Sequence, residues 1–357
     1  MKVDGSWRRT IEVDDTGTVV VLDQSRLPYD VEWLPLKSLD DAAIAIRDMK
    51  IRGAPLIGAT AAYGVAIALR QDPSALDHAC EVLAKTRPTA INLRWALDEM
   101  RRRLAGAPAS ARADLAMAEA AKISDEDVAA CEAIGTHGLD MIRRLAKPGA
   151  RVNVLTHCNA GWLATVDWGT ALAPVYKAFE AGIDIHVWVE ETRPRNQGLL
   201  TAWELKQHGV AHTVIADNSG GHIMQHGQVD LCIVGTDRTT RNGDVCNKIG
   251  TYLKALAADD NKIPFYAAVP SSSIDFTVGE PKDIPIEERS GDEVRYMSGR
   301  ADNGVTTRVA IIDATTAVAN PAFDVTPRRL MTGLITERGI ATASAQSLSA
   351  LFPERAR

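Results

Sequence analysis

The sequence predicts an α/β protein in two parts: a small helical N-terminal domain with a short N-terminal β-hairpin, then a parallel-sheet domain. Three observations carry this expectation. From Ser38 to about Ala146 the apolar residues keep a helical rhythm. Lys147-Pro148-Gly149-Ala150 then breaks it. Beyond the break, short, largely apolar runs alternate with helical ones, the pattern of strands covered on both faces. A chain of 357 residues also exceeds the usual size of one core. The boundary is expected near residue 148, giving domains 1–148 and 149–357.

Each element has a local reason. Trp7–Val13 and Thr18–Leu22 read as two strands around a turn at Asp14–Gly17. Ser38 is placed to cap a helix that starts Leu39-Asp40-Asp41, and Ser110 to cap the long Ala-rich run after it. Pro55 suits the first turn of a helix running to Leu69, and Pro88 interrupts the next helical stretch. After the break, Val152–Leu155, Ile183–Val189, Val210–Ile215, Leu231–Val234 and Phe265–Val269 read as strands. Ala171–Ala181, Leu199–His208 and Lys248–Ala258 read as helices between them. This alternation is Rossmann-like, and ligands of such sheets bind in the loops after the carboxyl ends of the strands.

Composition narrows the function classes. Apolar residues make up 46% and charged residues 24%, ordinary for a soluble globular protein. The net charge of -6 argues against nucleic acid as a partner. Met1–Arg9 is polar and has no apolar signal core, and Leu56–Leu69 is too short to span a bilayer, so no membrane role is expected. The five cysteines are scattered without a CxxC pair. Free thiols in a reducing cytoplasm are expected, with no disulfide framework and no metal site. No GxxxxGK[ST] or GxGxxG stands in a strand–turn–helix setting, and no GxSxG occurs, so no nucleotide cofactor or serine-hydrolase elbow is expected.

The strand ends hold the chemistry. Cys158 follows the first strand in Thr156-His157-Cys158-Asn159-Ala160-Gly161. It reads either as a buried apolar thiol or, among polar neighbours, as an acid–base group. Glu190 to Gly198 is dense in polar residues just before a helix, suiting an anionic or hydroxyl-rich ligand or a surface ion-pair loop. Asp237, in Gly235-Thr236-Asp237-Arg238, is a strand-end carboxylate that burial would turn into a proton donor near pH 7; the other reading is a loop cap. Asn247 and Lys248 are read at a helix start, where they offer an anion seat. In the helical part, Arg52-Gly53-Ala54-Pro55 sets a guanidinium and a small-residue turn at a helix N-terminus, which fits a phosphate. Arg87 stands in the loop Thr86-Arg87-Pro88-Thr89.

Taken in order, these motifs resemble the methylthioribose-1-phosphate isomerase family. The segments are Ile51–Pro55, Thr86–Leu93, Leu155–Gly161, Glu191–Pro194 with Gln197-Gly198, Val234–Arg238, and Asn242-Gly243-Asp244 leading to Asn247–Tyr252. Ile286–Arg289 fits as well, so the likeness runs from about Trp7 to Gly339. The superfamily also holds regulatory subunits of the eukaryotic translation-initiation guanine-exchange factor and ribose-1,5-bisphosphate isomerase, so fold alone does not decide activity. Thr236 stands where the family often has Ala, and Leu199-Leu200 where it often has Ala-Arg.

The resemblance implies an aldose–ketose isomerase acting on a sugar phosphate, cofactor-free, cytoplasmic and homodimeric. It implies Asp237 as proton donor and Cys158 as its partner, either as a base or as a polar support. It implies that Arg52, Gly53, Ala54, Arg87, Gln197, Asn247 and Lys248 bind the substrate in a cleft between the domains.

Overall fold

The computed structural model describes residues 1–3 and 5–355. Helices start where the sequence supplies a signal. The Ser38 hydroxyl accepts the Asp41 N–H, and the Asp41 carboxylate accepts the Ser38 N–H, a reciprocal capping box for Leu39–Arg47. Pro55 lies in the first turn of Ala54–Gln71, where an N–H would have no helical partner. That helix buries every residue from Leu56 to Leu69 and forms the axis of the N-terminal core. The 37-residue helix Ala109–Leu145 follows Pro108 directly, so Ser110 lies inside its first turn and does not cap it. Ala116, Ala120 and Ile123 of this helix belong to the N-terminal core, whereas Ile134, Met141 and Ile142 belong to the core of the sheet.

The main sheet has seven strands in the order Gly339–Ala341, Gly333–Thr336, Phe265–Ala268, Leu231–Val234, Val152–Thr156, Ile185–Glu190, Ala211–Ile215. All neighbours are parallel except the edge pair Gly333–Thr336 and Gly339–Ala341. Val152–Thr156 is first along the chain yet lies inside the sheet. The chain winds out to Ala211–Ile215 and returns on the other side, at Leu231–Val234. The loops after Val152–Thr156 and Leu231–Val234 therefore part company at a topological switch point, which opens a crevice.

From residue 152 to 269 the expected elements fall within about two residues of those observed, with one exception. Asn247 and Lys248, expected at a helix start, end the strand Val245–Lys248, and the helix Thr251–Asp260 begins only after Gly250. Long-range pairing decides this. Val245–Lys248 lies between Arg238–Thr240 and Phe323–Thr326 in a second sheet that Ile274–Asp275 completes. At the N-terminus, Ile11–Val13 and Val19–Leu22 pair as a hairpin shorter than expected, and Trp33–Leu36 adds a third antiparallel strand. A further hairpin, Tyr296–Arg300 with Thr306–Ala310, stands apart from both sheets. Among the described residues, no helix is long and apolar enough to cross a membrane.

Candidate active site

A cavity of about 110 Å³ lies where the crevice meets the start of the helix Ala54–Gln71. It is lined by Arg52, Gly53, Ala54, Arg87, Cys158, Gln197, Asp237, Asn247 and Lys248 together, so the structure brings all nine candidate residues to one place.

Local structure explains how each arrives. Gly53 caps Ala54–Gln71 at φ 94°, and a Cβ there would stand 2.3 Å from the Ala164 carbonyl oxygen. Only glycine lets this helix start sit against the turn Trp162–Ala164 of the other part. The same approach delivers Arg52, which donates to the side-chain oxygen of Asn159 at 2.5 Å. The Asn159 amide in turn donates to the Thr201 hydroxyl at 3.0 Å and to the Glu204 carboxylate. Burial pushes Glu204 up to about 7, against hydrogen bonds from the Leu163 N–H and the Asn159 amide that hold it down. Gln197 opens the helix Gln197–His208 after a left-handed Asn196. Arg87 is reached by the Glu287 carboxylate at 3.5 Å.

Cys158 has left-handed backbone, φ 67°, which a non-glycine residue adopts only when its surroundings hold it. Here its N–H donates to the Thr192 hydroxyl and its carbonyl accepts from the Thr201 hydroxyl, both at 2.8 Å. Burial pushes the thiol up, and the charges of Arg52 and Lys248 pull it part of the way back. Asp237 is held by its N–H on the Cys246 carbonyl at 2.9 Å, on the neighbouring strand. Burial pushes its carboxyl up against the pull of Lys248, Arg87 and Arg52. Lys248 donates to the Ala322 carbonyl at 2.8 Å and lies 4.5 Å from the ring centre of Phe323. Burial lowers its pKa, and Cys158 and Asp237 oppose that. The second sheet thus sets Asp237, just before the strand Arg238–Thr240, beside the strand that Lys248 ends.

The balance of charge around the cavity is one-sided. Arg52, Arg87, Arg195, Arg238, Lys248 and Arg289 line it, against the single carboxylate of Asp237. Four of these cations are held by carboxylates: Arg87 by Glu287, Arg195 by Glu293, Arg238 by Asp275, and Arg289 by Glu287 and Glu293. Among the described residues, Arg52 and Lys248 have no carboxylate at salt-bridge distance; their acceptors are carbonyl and amide oxygens. Cations withdrawn from water in this way, Lys248 fully and Arg52 in part, are costly unless an anion completes them.

Comparisons with known proteins give the family. Residues 50–343 match the model of the initiation factor 2 subunit family. A methylthioribose-1-phosphate isomerase of Methylorubrum extorquens is 63% identical over the full length of both chains. The chain belongs to the methylthioribose-1-phosphate isomerase family. The crystal structure of a 5-methylthioribose 1-phosphate isomerase from Pyrococcus horikoshii superposes with a TM-score of 0.85 at 39% identity, covering 98% of this chain and 97% of that one. A structure titled translation initiation factor eIF-2B, subunit delta, from A. fulgidus gives 0.82 at 38% identity, covering 97% and 100%.

Around this cavity, several contributors escaped the sequence reading. Asn159 lay inside a recognised motif but had no assigned role. Glu204 sits in the middle of a helix with nothing local to mark it, and Phe323 lies in a strand that was not foreseen. The signal for Arg289 was its place in the late Glu287-Glu288-Arg289 run. One cluster has the makings of a cation site: ligand atoms of His157, Glu190 and Asp217 lie within 4.8 Å of one another. The protein already engages them. His157 Nδ1 bonds Glu190, and the two Asp217 oxygens accept the Thr192 and Arg193 N–H groups, each at 2.7 Å.

Proposed function

We propose that this chain converts 5-methylthioribose 1-phosphate into 5-methylthioribulose 1-phosphate, the aldose–ketose step of methionine salvage, in the cytoplasm and as a homodimer. The single observation that carries the reading is the pair of cations, half-buried Arg52 and buried Lys248, that lack carboxylate partners beside Cys158 and Asp237. A phosphate completes both charges. The family membership and the activity named for its relatives support the same substrate. We take the helical part, residues 1–148, and the Rossmann-like part, residues 149–357, as two domains that share the substrate between them.

The phosphate on C1 blocks ordinary hemiacetal opening, so the ring oxygen must be protonated first. Asp237, its carboxyl pushed up by burial, is suited to hold that proton and give it. Hydrogen must then pass from C2 to C1. Burial keeps the Cys158 sulfur as a thiol, which is a poor base for a C–H proton. A direct hydride shift from C2 to C1, with the C2 hydroxyl proton passing to the Asp237 carboxylate left by ring opening as the C2 carbonyl forms, is therefore the step we favour. Cys158 then supports the reacting carbons as a neutral polar group, and Arg52, Arg87, Gln197, Asn247 and Lys248 with the Gly53-Ala54 backbone hold phosphate and hydroxyls.

Two measurements test this. Purified protein is incubated with 5-methylthioribose 1-phosphate, ribose 1,5-bisphosphate and 5-deoxyribose 1-phosphate, and ketose formation is followed. Preference for the first is expected; turnover of none of them contradicts the reading. When the reaction runs in D2O, the ketose is expected to carry no solvent deuterium at C1. Deuterium there would return Cys158 to the role of base.

A further inference from the structure

We infer that His157 is a positioning residue that fixes the register between Cys158 and Lys248, an inference that rests on the isomerase reading above. His157 is the neighbour of Cys158 in sequence, yet its side chain is 1% exposed and is not part of the cavity wall. Its imidazole bridges two other segments. Nε2 lies 2.8 Å from the Ile249 carbonyl oxygen, and Nδ1 lies 2.7 Å from a Glu190 carboxylate oxygen. A carbonyl oxygen only accepts, so Nε2 carries a proton. Glu190 ends the adjacent strand and is fully buried, with the Lys254 ammonium 3.4 Å from its other oxygen.

The bond to Ile249 has a definite consequence. Ile249 directly follows Lys248, and Gly250 directly follows Ile249. Gly250 has φ 104°, and a Cβ there would stand 3.1 Å from Cε1 and Nε2 of the imidazole. Turn and ring are fitted to each other. The far side of the turn is held by Asp324, whose carboxylate accepts the Gly250 and Tyr252 N–H groups at 2.7 and 3.1 Å. Asp324 ties the turn to the second sheet. His157 ties it to the loop that bears Cys158. The Lys248 ammonium, at a strand end, and the Cys158 thiol, in the loop after another strand, act on one substrate, and His157 is a polar link between the two segments next to both. A tie of this kind touches no substrate atom. Its loss displaces reacting groups relative to one another, which lowers turnover more than affinity.

Two nearly isosteric substitutions separate the halves of the bridge. His157→Asn keeps a polar atom at the Nδ1 position and loses the reach to Ile249. His157→Gln keeps a donor at the Nε2 position and loses Glu190. Both are compared with wild-type enzyme for kcat, KM and melting temperature. His157→Asn is expected to lower kcat about tenfold or more with KM within about threefold, and His157→Gln to stay within about threefold in both. Equal losses in the two variants, or no loss in either, would overturn the role. If His157→Asn does not fold, His157→Gln decides: retained turnover supports the tie, and a tenfold loss overturns it. Failure of both to fold also overturns it, because His157 would then be a residue of the core alone. Absence of turnover in the wild type would instead defeat the isomerase reading, so the two failures are distinct.

Discussion

Asp237, half-buried, and Glu204, fully buried, are the two carboxyls of this site whose pKa burial raises, and their surroundings differ. Asp237 faces the cavity with three cations acting on it, so its proton is available to substrate. Glu204 faces away, accepting from the Asn159 amide, whose oxygen then meets Arg52. A Cβ at Gly161 would fall about 2.0 Å from a Glu204 oxygen, so glycine at 161 makes room for the acid. Replacing Glu204 by Gln puts a donor against a donor and turns the Asn159 amide. KM is expected to rise about tenfold, with a smaller change in kcat, because Arg52 loses its acceptor. Stability gives a second readout. The folded carboxyl titrates at about 7 against an ordinary 4.5, so the folded state keeps the proton longer. Its contribution disfavours folding increasingly as pH rises from 4.5 to 7, by roughly 3 kcal/mol at most. Glu204→Gln is expected to flatten that part of the melting-temperature profile, and an unchanged profile would count against it. Cys158 and Asp237 were legible in the sequence because each follows a largely apolar strand. Glu204 was not, since its role depends on Asn159 and Gly161, more than forty residues upstream.

At the scale of elements, most local signals held where a helix or strand is defined by its own residues, the Ser110 cap being the exception. The Ser38 capping box, Pro55 and the break at Lys147–Ala150 are of this kind. The strand Val245–Lys248 is not, because its partners are Arg238–Thr240 and the distant Phe323–Thr326. Nothing in Val-Cys-Asn-Lys announces a strand paired on both sides, and the Gly-Thr after it suggests a helix start. The anion seat at Asn247 and Lys248 therefore has another physical basis than a helix N-terminus: it is a buried strand end with a lysine stacked on Phe323. The start of Ala54–Gln71 is the element on which the shared site depends most. Gly53→Ala drives a methyl into the Ala164 backbone at a φ that alanine resists. Loss of about 1–3 kcal/mol of stability is expected, with a raised KM as Arg52 shifts. Calorimetry and steady-state kinetics check both, and an unaltered KM would separate Arg52 from this contact.

The whole molecule is a scaffold shared by isomerases and translation-factor subunits, so its architecture does not choose between them. The choice rests on the charges left open at the switch point of the sheet. The long helix Ala109–Leu145 joins the two cores, with Gly138 so close to Pro174 that a Cβ would lie 2.3 Å from its ring. This contact packs the second half of the helix against Ala173–Glu180, beside the sheet. A closed two-fold dimer is expected on top of this, and sedimentation at micromolar concentration should return twice 38.5 kDa. A mass of one chain would contradict it.

The central claim, that Asp237 supplies the proton that opens the sugar ring, is tested most directly by the pH dependence of turnover in wild-type and Asp237→Asn protein. The wild type is expected to form ketose from 5-methylthioribose 1-phosphate and to lose turnover toward alkaline pH as the carboxyl deprotonates. Folded Asp237→Asn is expected to turn over about 10²- to 10⁴-fold more slowly and to lack that alkaline limb. Turnover by Asp237→Asn at the wild-type rate, with the limb intact, would contradict it.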